Sequence, residues 1–207
     1  MILIFEDKLP TTGRTGIKQR ILDISKNLGI SPNWLMAVIN FETAGTFSPS
    51  IRNKFTQATG LIQFVPTTAR SLGTSVEELK GMSFIRQLDF VERYYMPYKK
   101  KIKGFTDLYL ATFFPLAIGK PDNWVLRSKN ISAATIAKQN PVFGKNGAVT
   151  VGDIKRELLS RIPRELLKFL LENPGTVAPV LISFLATIGT YALYKRYNNG
   201  SNKKERQ

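Results

Sequence analysis

The chain has 207 residues, 43% of them apolar, and its 30 Lys and Arg against 15 Asp and Glu give a formal net charge of +15. That suits one core-bearing domain with an appendage, and a surface drawn to polyanions such as nucleic acid, anionic lipid headgroups or acidic polymers of a bacterial envelope. Because the chain has neither His nor Cys, disulfides, thiol nucleophiles, His-based triads and nearly all transition-metal sites are excluded, so acid–base chemistry falls to carboxylates, Lys or Tyr.

Met1 to Phe5 is apolar, but Glu6 and Asp7 interrupt it and no basic segment precedes it, so no signal peptide is expected. Ile17, Ile21, Ile24 and Leu28 recur at helical spacing, and Gly29 stops that element. Ser31 and Pro32 form an N-cap and first-turn pair for a second helix, Asn33 to about Phe41. Pro66 and Thr67 open a short helix through Leu72, and Ser75 with Glu78 makes a capping-box pattern for another. Phe84, Leu88, Val91 and Tyr95 mark the longest helix, about Ser83 to Lys101. Phe105 to Phe114 is a further apolar helix closed by Pro115. These elements make residues 1–121 one helical domain, with strand-like alternation scarce throughout.

Beyond it, residues 122–150 are rich in Asn, Lys, Ala and Gly, with weak periodicity, and read as a loose extension or connector. Residues 151–173 are amphipathic, with Ile154, Leu158, Ile162 and Leu166 against Lys155, Arg156, Arg161 and Arg164. Such a helix either lies on anionic headgroups or packs as an ordinary surface helix on the domain. Residues 174–194 carry no charge and are long enough to span a bilayer, with Lys195 and Arg196 flanking them. The expectation is a membrane segment, with a buried core helix as the alternative, followed by a basic, disordered tail, 195–207.

The informative stretch is Asn33 to Gly73. Glu42 lies four residues beyond Val38, on nearly the same face as the core positions Leu35, Val38 and Ile39, where the helix must end at Gly45. A carboxylate there is half buried against apolar neighbours. Desolvation keeps it protonated near neutrality, as a general acid for glycosidic cleavage requires. The plainer reading of an isolated Glu at a helix end is a structural one, capped by Arg or backbone.

Three strings add to this reading: FETAGTFSP (Phe41 to Pro49), ATGLIQF (Ala58 to Phe64) and PTTARSLG (Pro66 to Gly73). In this order and spacing the chain resembles the soluble lytic transglycosylase family of the lysozyme superfamily. QLDFVERYY (Gln87 to Tyr95) and DLYLATFFP (Asp107 to Pro115) resemble its phage-type variant. The resemblance covers about Ile17 to Pro121 and implies a lysozyme-like, mainly α fold that cuts peptidoglycan without a metal or cofactor. It makes Glu42 the acid that protonates the leaving glycosidic oxygen and Thr43 the hydroxyl that helps orient that carboxyl. Gly60 to Gln63 would wall the glycan groove, with Ile62 where the family often has Met and Gln63 offering donor and acceptor to the sugar.

The chain departs from the family at one place. Family members carry an Ala-Tyr-Asn-like string bordering the catalytic Glu, and the comparable place here, Ala111 to Phe114, has neither Tyr nor Asn. Tyr94, Tyr95, Tyr98 and Tyr109 are the candidates for the missing hydroxyl, Tyr95 and Tyr109 foremost, with core packing as the alternative for each. Glu77, Glu78, Asp89, Glu92 and Asp107 sit in segments that read as solvated faces, so no second catalytic carboxylate is recognisable. That pattern favours a single-Glu mechanism.

The implied partners are peptidoglycan, the bacterial membrane through the C-terminal segment, and virion components if the protein is phage-encoded. The alternative is a peptidoglycan-binding or structural virion protein that does not cut. The Lys99 to Lys103 cluster suggests nucleic acid by charge alone, and no nucleic-acid motif accompanies it, so no specific nucleic-acid partner is expected.

Overall fold

The computed structural model describes residues 3–144 and 147–162, and these residues are mainly helical. Residues 1–161 form one compact unit. Its α-helices are α1 (Arg14–Leu28), α2 (Pro32–Glu42), α3 (Pro66–Ser71), α4 (Val76–Gly81), α5 (Phe84–Tyr95), α6 (Phe105–Phe113), α7 (Ala133–Gln139) and α8 (Val151–Ser160). The extension expected for α5 as far as Lys101 does not form: at Met96 the chain tightens into a 3₁₀ turn, Met96–Tyr98, around Pro97.

The fold is organised around α2. Every residue from Asn33 to Ile39 is buried, so this helix is apolar on all sides, as a central rather than a surface helix must be. Helices α1 and α6 pack on it, α5 packs on α1, and α8 packs on α6. Ser31 stands at the N-cap of α2, but its side chain makes no capping hydrogen bond there; two other expected ends form as read. Gly29 ends α1 in the left-handed region, and Ser75 and Glu78 exchange both hydrogen bonds of a capping box.

The 51–64 segment holds itself together by two isolated antiparallel bridges, Arg52 with Thr59 and Thr59 with Phe64. One buried side chain ties it to the helices. The Gln87 amide donates to the Pro49 and Leu79 carbonyls, both at 2.6 Å, and accepts from the Leu61 N–H at 2.9 Å. Three backbone groups from three separate stretches are thereby satisfied by one residue that is fully out of water.

The stretch expected as a loose connector is packed instead. Val125 bridges to Thr150, α7 buries Ile136 and Ala137, and Leu126, Phe143 and Val149 are core residues. Its weak periodicity reflects a short helix between irregular turns, which bury single residues rather than a repeating stripe. Within the expected amphipathic helix, the described part, α8, buries Val151, Ile154 and Leu158 and packs on α6, the surface-helix alternative. Among the described residues no helix is long and apolar enough to cross a membrane. The expected membrane segment, 174–194, and the basic tail, 195–207, lie outside the described residues.

Candidate active site

Glu42 is the last residue of α2. The backbone beyond it turns sharply, with Ala44 and Gly45 both at positive φ, so the side chain stands at the rim of the core, half buried. Burial raises its carboxyl from 4.5 to about 8, partly opposed by a hydrogen bond from the Tyr109 hydroxyl, which favours the ionised form. The acid is therefore mostly protonated at neutral pH, and its hydrogen-bond partner becomes a stronger one once the proton leaves.

Aromatic rings build the surroundings. Phe41 meets Tyr109 edge-on at 5.0 Å, Tyr109 stacks with Phe113 at 5.8 Å, and Phe143 lies within 5.9 Å of Phe41 and 5.3 Å of Phe113. The Arg161 guanidinium sits 4.6 Å over the Phe41 ring, an arrangement that holds a cation by the ring's negative face. From α5, Tyr94 and Tyr95 stand near enough that the Glu42 charge adds to the upward push on their hydroxyls, although burial is the larger cause for both.

Of the four candidate tyrosines, Tyr109 is the one hydrogen-bonded to Glu42. Tyr94 donates to the Ala111 carbonyl at 2.7 Å, and the Tyr95 hydroxyl pairs with Thr112 Oγ1 at 2.5 Å. Tyr95 is therefore a buried core residue with its hydroxyl engaged away from Glu42. Tyr98 packs its ring on Tyr94 at 5.9 Å.

The Thr43 expectation needs correction. Its hydroxyl donates to the Ile39 carbonyl at 2.6 Å and accepts from the Phe47 N–H at 3.0 Å. A hydroxyl just past a helix end back-bonds to the carbonyl one turn earlier, so Thr43 fixes the turn that presents Glu42 without orienting the carboxyl itself. Ile62 is also not a wall residue, since it is 1% exposed and belongs to the core. The Gln63 side chain donates to the Gly60 carbonyl at 3.1 Å and reaches Ile51 O at 3.5 Å, the behaviour of a turn residue. Its carbonyl oxygen meets no donor among the described residues. Gly60 sits at φ +86°, and a Cβ there would stand 2.3 Å from Gln87 Oε1 and force that buried amide to shift. At the end of the turn the Phe64 ring meets Tyr94 at 6.1 Å, and Tyr94 feels the Glu42 charge.

The five carboxylates set aside in the sequence reading have separate duties. Glu77 pairs with Arg52, Glu78 caps α4, Asp89 and Glu92 share Arg20, and Asp107 accepts from the N–H groups of Lys103 and Gly119. Each of these five is held to a structural partner, whereas burial raises the Glu42 carboxyl toward the range a proton-transfer group needs.

Three residues of this region escaped the sequence. Gln87 left a trace, a polar residue on the apolar stripe of Phe84, Leu88 and Val91. Phe143 and Arg161 left none, because the contacts that define them are distant in the chain. No protein-family model, no curated protein and no solved structure matches the chain.

Proposed function

We propose that the protein has a lysozyme-like arrangement and cleaves the glycan strands of peptidoglycan as a single-Glu lytic transglycosylase. The observation that carries this reading is a half-buried Glu42 whose carboxyl is held protonated at neutral pH beside the Tyr109 hydroxyl. In support, the sequence strings around Glu42 and Gly60 resemble that family, and every other carboxylate considered has a structural partner.

Glu42 passes its proton to the glycosidic oxygen as the bond to the muramic C1 breaks, and the substrate's own N-acetyl group stabilises the cation that develops. The carboxylate left behind, stabilised by Tyr109, takes the proton of the muramic C6 hydroxyl as that oxygen closes on C1. The product is a 1,6-anhydro ring, and Glu42 returns to its acid form. A hydrolase needs two working carboxylates, and the five others considered among the described residues each serve a structural partner. The same protein is proposed to act at the bacterial envelope as a phage-type wall-degrading component, with its basic surface adding affinity for anionic polymers.

The test is digestion of purified peptidoglycan by the full-length protein, with mass spectrometry of the released fragments. Anhydro-muropeptides that vanish with Glu42→Gln support the proposal. Reducing-end fragments would make the reaction hydrolytic, and no fragments from a folded, wall-binding protein would replace it with the non-cutting alternative.

A further inference from the structure

Part of the aromatic wall beside Glu42 comes from a stretch that the chain adds about a hundred residues later. Phe143 is 5% exposed and stacks nearly parallel to Phe41, with 10° between the planes. It also meets Tyr109 at 6.1 Å. Phe41 is the chain neighbour of Glu42, and Tyr109 is its hydrogen-bond donor, so Phe143 touches both groups that set the carboxyl's position.

The turn carrying Phe143 is built to hold it there. Ser132 caps α7 through the Thr135 N–H. The N–H groups of Phe143 and Gly144 both donate to the Asn140 carbonyl, at 3.0 and 3.1 Å, and the Asn140 amide returns to Ile136 O at 2.9 Å. Gly144 runs so close to α7 that a Cβ would stand 2.7 Å from Ala137 Cα and Cβ. Next to the same Phe41 ring, Arg161 is fixed by its ion pair with Glu157 at 2.8 Å.

We propose that Phe143 is a positioning residue for Glu42, closing the aromatic wall over Phe41 and Tyr109, and that the segment 122–161 is thereby a working part of the site. The catalytic meaning rests on the function proposed above, whereas the wall itself does not. Water kept away from the Tyr109–Glu42 pair favours the neutral acid. The Glu42 charge is felt by Tyr109 from α6 and by Tyr94 and Tyr95 from α5, and the Arg161 cation lies over the neighbouring Phe41 ring. Burial foremost holds the three tyrosines above the ordinary phenol range, so a proton released near neutrality is that of Glu42.

The experiment titrates Glu42 in the full-length protein by carboxyl carbon NMR, its signal assigned by its loss in Glu42→Gln, alongside the pH profile of peptidoglycan cleavage. Phe143→Ala should lower the Glu42 midpoint by about one unit or more and move the alkaline limb of activity with it. Phe143→Leu should restore most of the shift. A folded Phe143→Ala protein with an unmoved Glu42 midpoint would overturn the proposal. Should that variant fail to fold, Gly144→Ala displaces the same turn, and a folded Gly144→Ala protein with a parental Glu42 midpoint would overturn it equally. A midpoint that moves in a protein that cuts nothing would sink the enzymatic reading and leave the wall in place.

Discussion

Replacing Glu42 by Gln should make the protein more stable while abolishing cleavage. The carboxyl titrates near 4.5 when exposed and at about 8 in the fold. Below pH 4.5 both states hold the proton and the residue contributes no pH dependence. Between these values only the folded state holds it, so stability falls as pH rises, by about 1.36 kcal/mol per unit. Above pH 8 the penalty is constant. At pH 7 the penalty comes to about 3 kcal/mol, which partial exposure of the side chain reduces to about 2 kcal/mol. Gln keeps an acceptor for Tyr109 and carries no charge to desolvate, so it escapes the penalty. Thermal melts of the parent and Glu42→Gln should nearly coincide at pH 4.5 and separate by roughly 4 to 8 °C at pH 7. Parallel curves from pH 5 to 9 would refute the reasoning, because they would mean the folded carboxyl ionises at its ordinary value.

Tyr109→Phe removes the donor that favours ionised Glu42, so the alkaline limb of activity should move up and the rate fall about ten- to a hundredfold; an unchanged rate would remove Tyr109 from the mechanism. Gln87→Leu strands the Leu61 N–H and the Pro49 and Leu79 carbonyls and should cost about 3 to 5 kcal/mol in urea unfolding, a loss under 1 kcal/mol contradicting the three-way tie. Gly60→Ala drives a Cβ into the same amide and should cost about 2 to 4 kcal/mol, less in a Gln87→Ala background because the two share one contact. Binding to purified walls should weaken about tenfold or more between 50 and 500 mM salt; salt-insensitive binding would assign the basic surface another purpose.

The helices were legible because their signals are local. The spacing of Ile17, Ile21, Ile24 and Leu28, the Ser31–Pro32 start and the Ser75–Glu78 box each lie within a few residues, and helices formed where they pointed. The position of Glu42 was legible for the same reason, as a carboxylate on the core face at a helix end. Roles that depend on where a side chain turns were less so. Thr43 and Gln63 each carry groups able to meet a sugar or a carboxyl, and each meets nearby backbone instead; for the short Thr43 hydroxyl beside a sharp turn the nearest carbonyl comes first. Residues 122–150 concealed their packing most fully. Phe143 is a single ring in an irregular stretch, and nothing in its neighbours' spacing announces Phe41 as its partner.

The late position of that ring orders events in time. As the chain leaves the ribosome, at about 5 to 20 residues per second, Glu42 and Tyr109 emerge well before the turn after α7, and α8 follows that turn. For several seconds the helices that carry the acid exist without the ring that shields it. The nascent protein thus passes through a stage in which Phe41 and Tyr109 present an open apolar face, the point at which a chaperone would find it. On the proposed reading, its cutting power arrives only once the turn after α7 has docked on Phe41.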